Sequence, residues 1–243
     1  MNADASRHPR SIVYAIYALA AGLLALGLAF GKRDEDAINR IPRPIRMLSS
    51  ALVLACALLL RRDARCGNPR DAAMPLTAAG MGCDFLGDLV MAKVIPLPEY
   101  AIFGMAAFGA GHGLYMKAFA QRMQALALRS ARARWTALGS AWAVALVSWW
   151  ALVRSPAIKP ALNYGALAYA LLLSSMSGMG AALAAQDRRY TPLALGGALF
   201  FVSDIFLAAK LFRGTRFPQI GDVVWLTYIA GQALIVAQIG LVD

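Results

Sequence analysis

The chain has 243 residues, 60% of them hydrophobic and only 15% charged, with a mean hydropathy of +0.57. A water-soluble domain of this size has too little interior to hide so much apolar surface, which excludes a soluble enzyme or carrier. The net charge of +11 does not signal a nucleic-acid partner, because most of the basic residues lie in short segments between apolar runs.

Eight apolar runs are long enough, or nearly so, to cross a hydrocarbon layer of about 30 Å at a rise of about 1.5 Å per residue. The first, 11–30, follows Arg7 and Arg10 as a signal peptide would. No small-residue cleavage site precedes the "GKRDED" segment, which predicts an uncleaved helix. The second spans 44–60 and the third 72–94; after the break "IPLP" the fourth spans 99–120. The fifth, 135–153, and the eighth, 221–241, carry tryptophans near their ends that read as interfacial anchors. In the sixth, 161–185, Ser174, Gly178 and Ala182 recur every four residues, the spacing of a close helix seam. The seventh spans 193–213. Met81, Met91, Met105 and Met116 read as packing residues. The expected fold is all-α: a polytopic membrane protein of eight transmembrane helices in a single domain, residues 1–243.

With alternating sides, twelve arginines between Arg7 and Arg189, Arg122 among them, fall on the amino-terminal side. Eight basic residues between Lys32 and Arg216 fall on the other. The excess predicts both termini in the cytoplasm, in a membrane expected to be the bacterial plasma membrane. Cys56, Cys66 and Cys83 have no metal-ligand spacing and suggest no disulfide framework. No metal or other cofactor is expected.

The residues that stand out are ionisable groups inside the runs. An aspartate at a helix centre costs on the order of 2.5–3.5 kcal/mol to insert, yet "GMGCDFLGDLVMA" carries both Asp84 and Asp88, and the seventh run carries Asp204. His112, Tyr115, Tyr228 and Gln232 join them, and Tyr164 opens the sixth run. Such residues usually face a bundle interior or a wet cavity. Asp88, Asp204 and Tyr228 fall at similar depths, roughly 9–14 Å from the outward ends at 1.5 Å per residue. A polar layer reached from the third, fourth, seventh and eighth helices is therefore expected. Arg46, Lys93 and Lys210 lie above it, placed to bind phosphate or to snorkel.

A candidate internal repeat lies at an offset of 116 residues, on four identities in fifteen. "GMGCDFLGDLVMAKV" aligns there with "GGALFFVSDIFLAAK", pairing Asp88 with Asp204 and His112 with Tyr228. It would divide the chain into two four-helix halves, with the two aspartates facing one another.

At these residues the chain resembles the lysoplasmalogenase-like, YhhN-type membrane proteins. The likeness rests on "RPIRM", "FLGDLVM", "GMAAFGAGHGLYMKAF", "LGGALFFVSDIFLAAKLF" and "LTYIAGQALIV", in that order. It implies an eight-helix membrane fold and hydrolysis of the vinyl ether bond of lysoplasmalogens to a fatty aldehyde and glycerophosphoethanolamine or glycerophosphocholine. Carried over, the motif positions are Asp88, the pair His112 and Tyr115, the pair Ser203 and Asp204, and the pair Tyr228 and Gln232. Two positions depart from the pattern: Asp84 replaces a small or hydroxyl residue, and Arg43 replaces a lysine.

This chemistry suits the residues. A vinyl ether breaks when its β-carbon is protonated, which leaves an oxocarbenium ion for water to capture. The slow step needs a protonated acid beside a negative charge, and buried, neighbouring carboxyls supply both. Asp88 and Asp204 are the expected pair, with their roles open, and His112 and Tyr228 orient them or the water. Asp84, Tyr115, Tyr164, Ser203, Gln232, Arg46, Lys93 and Lys210 are expected to bind substrate. The expected partners are the lysophospholipid and the bilayer; oligomeric state is not legible. The alternative is a proton- or ion-coupled transporter using the same intramembrane Asp and His residues as a relay.

Overall fold

The structure, a computed structural model, describes residues 7–34, 38–64 and 72–241. Cys66, Arg65 and Arg70 lie outside the described residues. Among the described residues eight long helices follow in order: α1 (Arg7–Phe30), α2 (Arg43–Asp63), α3 (Ala73–Met91), α4 (Tyr100–Ala125), α5 (Ala131–Leu152), α6 (Pro160–Gln186), α7 (Thr191–Arg213) and α8 (Ile220–Leu241). A single 3₁₀ turn, Arg188–Tyr190, precedes α7. No strand occurs among the described residues.

Local signals explain the boundaries. Proline occupies the first turn of α2, α6 and α7, where no backbone donor is lost. Ser130 caps α5 by accepting from the Ala133 amide at 3.2 Å. Gly214, at φ 64°, closes α7 in the left-handed region. α3 stops at Met91, three residues short of the expected end. There Lys93 turns left-handed (φ 55°) and the Val94 amide folds back to the Leu89 carbonyl at 2.9 Å. α4 instead runs five residues further than expected, to Ala125.

That extension has a cause. Arg122, counted above among the loop cations, is buried within α4. Its Nη2 donates to the Ile239 carbonyl at 2.6 Å and its Nη1 to the Tyr190 hydroxyl at 3.4 Å. It thus ties the end of α4 to the end of α8, satisfying a carbonyl that the last helical turn leaves open.

Among the described residues six helices are long and apolar enough to cross a membrane: α1, α2 and α5 to α8. This is the character of a multi-pass membrane protein. α3 and α4 fall short because carboxylates, glycines, His112 and a basic end dilute their hydropathy. α3 packs against α2, α4 and α8, and α4 packs against α3 and α6.

Helix neighbours are arranged in a near-symmetric way. α3 lies against α4 as α7 lies against α8, and α4 meets α6 as α8 meets α2. Individual contacts recur at the 116-residue offset. Gly80 abuts Tyr115 as Gly196 abuts Gly231; Gly87 abuts Phe108, and the Ser203 hydroxyl donates to the Val224 carbonyl at 2.9 Å.

Residues 38–41, ahead of α2, are strapped over the start of α8. The buried Asp222 carboxylate accepts from the backbone amides of Arg40 (2.5 Å) and Ile41 (3.0 Å). The Gly221 amide donates to the Ile38 carbonyl at 2.8 Å, and Asn39 Oδ1 accepts from Arg46 Nη1 at 2.9 Å. Asp222→Ala would leave two amide donors without their acceptor, at a cost of about 1–3 kcal/mol. A lower melting temperature in detergent is the expected reading.

Candidate functional site

A cavity of about 460 Å³ opens among α2 to α8, near the ends that carry Arg43, Lys93 and Lys210. Its wall is mainly apolar and includes Met47, Met91, Met105, Phe108, Leu173, Phe200 and Leu207. Met91 and Met105 therefore line a cavity instead of filling a core. Trp225, read from the sequence as an interfacial anchor, also lines it and donates to Ser49 Oγ at 3.1 Å. Trp135 and Trp150, near the two ends of α5, are exposed.

Asp88 from α3 and Asp204 from α7 both face this space. Asp88 Oδ2 accepts two hydroxyl hydrogen bonds, from Ser50 at 2.5 Å and from Tyr228 at 2.9 Å. Asp204 Oδ2 accepts from the Tyr169 hydroxyl. That same hydroxyl lies 3.3 Å from His112 Nε2. Its own hydrogen is directed at Asp204, so the imidazole is the donor in the second contact. His112 Nδ1 is buried without a partner among the described residues, which fits the Nε2–H tautomer.

An aromatic floor joins the two carboxyls. Phe200 meets His112 edge-on at 4.9 Å between ring centroids and meets Tyr228 at 5.0 Å; Phe108 meets Tyr228 at 5.9 Å. The 116-residue pairing of His112 with Tyr228 acquires a physical sense here. Tyr228 bonds Asp88 directly, and His112 reaches Asp204 through Tyr169.

Four cations, Arg43, Arg46, Lys93 and Lys210, line the cavity. Arg43 donates to the Ala92 carbonyl at 3.3 Å, Arg46 to Asn39, and the Lys93 ammonium sits 4.7 Å above the Tyr100 ring. No described carboxylate forms an ion pair with any of the four. Desolvation pushes up the carboxyl of Asp34, in the loop beside them, but hydrogen bonds from Asn39 and Ile38, with the Arg46 charge, together outweigh it and hold the group below the ordinary range.

The expected site residues separate into groups. Asp88, Asp204, Tyr228, Ser203, Arg46, Lys93 and Lys210 line the cavity, but the Ser203 hydroxyl is spent on Val224. Asp84, Tyr115 and Gln232 form a buried cluster behind the wall. Gln232 Nε2 donates to Asp84 Oδ2 at 2.5 Å, and the Tyr115 hydroxyl donates to Gln232 Oε1 at 2.8 Å. Gly111 makes room for Asp84, because a Cβ there would overlap Asp84 Oδ1. These three are placed to brace α3, α4 and α8, not to touch a ligand in the cavity. His112 is also behind the wall, in contact with Tyr169. Tyr164 is 65% exposed and belongs to neither group.

Polar residues of the cavity region that were not anticipated include Tyr169, Ser50 and Asn39. Tyr169 stands alone among apolar residues of α6, and Ser50 follows Ser49 in α2. A serine hydroxyl can bond within its own helix and a tyrosine ring is largely apolar, so neither raises an alarm in an apolar run, although here both donate to distant carboxylates. Among the described residues no three His, Cys, Asp or Glu side chains come together as a metal-ligand set.

The YhhN family model matches residues 43–239, from the first residue of α2 almost to the end of α8. The chain belongs to the YhhN family. The match includes every cavity-lining residue except Asn39, so the site sits on the part that the YhhN family shares. No curated protein and no solved structure matches the chain.

Proposed function

We propose that this YhhN-family protein is a lysoplasmalogenase-like hydrolase. In this reading it cleaves the vinyl ether bond of lysoplasmalogens to a fatty aldehyde and a glycerophospho head group. All eight helices cross the bilayer as one domain of two four-helix halves, with both termini cytoplasmic. The observation that carries the reading is the cavity's layering: an apolar wall, two carboxyls from different helices, and four cations without an ion-pair partner among the described residues. A lysophospholipid has the same order of chemistry. Its phosphate suits Arg43, Arg46, Lys93 and Lys210, its alkenyl chain suits the Met, Leu and Phe wall, and the vinyl ether lies between them.

Cleavage then needs only groups that face the cavity. One carboxyl gives its proton to the β-carbon. The other faces the oxocarbenium ion and takes a proton from the water that adds to the α-carbon. The hemiacetal collapses to aldehyde and alcohol.

The test is incubation of the purified protein with lysoplasmalogen, its saturated 1-alkyl analogue and a lysophosphatidyl lipid. Aldehyde is expected from the vinyl ether alone, and in heavy water it should carry one solvent deuterium beside the carbonyl. Proton uptake into liposomes without aldehyde release would overturn the proposal in favour of transport. Arg46→Ala or Lys210→Ala should raise KM roughly tenfold, about 1.4 kcal/mol of a charge-assisted phosphate contact, with little change in kcat.

A further inference from the structure

The two carboxyls of the cavity are not equivalent, and their hydrogen bonds distinguish them. Asp88 Oδ2 receives two hydroxyl protons, from Ser50 and Tyr228. Two donors aimed at one oxygen match an anionic acceptor, because charge-assisted hydrogen bonds are roughly twice as strong as neutral ones. Asp204 receives a single donor, Tyr169, on Oδ2. Tyr169 has one hydrogen, and the His112 Nε2–H, 3.3 Å away, occupies its lone pair. The order His112 to Tyr169 to Asp204 is therefore directional. It engages Oδ2 as an acceptor and leaves Oδ1 to carry an acidic hydrogen. His112 is locked by edge contact with Phe200 and by complete burial, so the chain is held in place from behind the cavity wall.

Resting on the hydrolase reading, we propose that Asp204 is the proton donor, that Asp88 is the carboxylate that activates water, and that Tyr169, held by His112, is the positioning residue of the acid. The Asp204 proton forms the new C–H bond with the π electrons of the alkene, leaving the oxocarbenium ion. Asp88 takes a proton from water as its oxygen bonds to the α-carbon. On collapse, the hemiacetal hydroxyl proton returns to Asp204. The C–O bond to glycerol breaks, and the proton on Asp88 goes to the departing oxygen. Both carboxyls end as they began, and water is the only co-reactant.

Azide rescue tests the assignment. Azide is an anion that needs no base to add to the cation, so it replaces a missing carboxylate and cannot replace a missing acid. With lysoplasmalogen and the detergent-purified protein, turnover is read as loss of the vinyl ether, because azide capture gives an α-azido ether in place of the aldehyde; Asp88→Ala should lose turnover and regain at least tenfold of it in azide. Asp204→Ala should stay inactive. The tyrosines should follow their partners. Tyr228→Phe should be stimulated by azide, whereas Tyr169→Phe should show a kcat lowered about 10- to 100-fold, KM within twofold, and no stimulation. Gel-filtration profiles and melting temperatures identify misfolded variants; for any such alanine, Asp88→Asn and Asp204→Asn repeat the comparison. Rescue of Asp204→Ala instead, of both variants or of neither overturns the assignment. Failure of the wild-type protein to release aldehyde would overturn the hydrolase reading itself, a separate result.

Discussion

Asp88→Asn and Asp204→Asn are each expected to lower aldehyde release at least about 10³-fold while leaving the protein folded. General acid or base assistance contributes about 10²–10⁴-fold to such steps. The carboxyls also act as a unit, so loss of either removes most of their joint effect. Folding should survive because the amide keeps the shape and one acceptor oxygen. At position 88 that oxygen still meets the Ser50 and Tyr228 hydroxyls, and at position 204 it still meets Tyr169. Rates on lysoplasmalogen, read beside melting temperatures in detergent, check this. Wild-type-like turnover in either variant removes that residue from the chemistry. Asp84→Asn is the informative contrast. Its carboxyl sits behind the wall on Gln232, so its loss should change kcat far less than that of Asp88, one turn away on the same helix.

The second large effect is on stability and comes from the seam between α7 and α8. A Cβ on Gly231 would stand 2.6 Å from the Gly196 carbonyl oxygen and 3.0 Å from the Phe200 amide nitrogen. Both neighbours are backbone, so neither yields by a rotamer change, and the helices must separate. Gly231→Ala should cost about 1–3 kcal/mol of overpacking. That is a fall in melting temperature of about 2–12 °C for a chain of this length. Activity should fall with it, because α7 carries Asp204 and α8 carries Tyr228. Gly82→Ala is the control. Nothing lies within 4 Å of its added Cβ, and alanine is the better helix former by about 0.8–1.0 kcal/mol. Thermal melts of the two variants side by side decide the point. Equal melting temperatures would mean that the α7–α8 seam is looser than the structure has it.

Much of the architecture is legible from hydropathy because membrane helices advertise themselves one residue at a time. A charge inside an apolar run carries a cost that can be read without knowing any neighbour. For that reason Asp88 and Asp204 stand out before any geometry, as do Arg46, Lys93 and Lys210 near helix ends. The 116-residue likeness is legible for a related reason: small residues at a seam are constrained by the backbone opposite them, so Gly80 and Gly196 recur.

What the linear order left undecided is rotation. A helix that is apolar on every side carries no moment to say which face turns inward, so Asp84 and Asp88, one turn apart, look alike on paper. Assembly sends Asp88 into the cavity and Asp84 behind its wall. It likewise buries Arg122, turns Tyr164 outward, and brings in Ser50 from α2 and Tyr169 from α6. Hydroxyls and ring edges acquire meaning only from a partner tens of residues away. Insertion cost selects which side chains must be sheltered; the fit of helix against helix decides which of them meet.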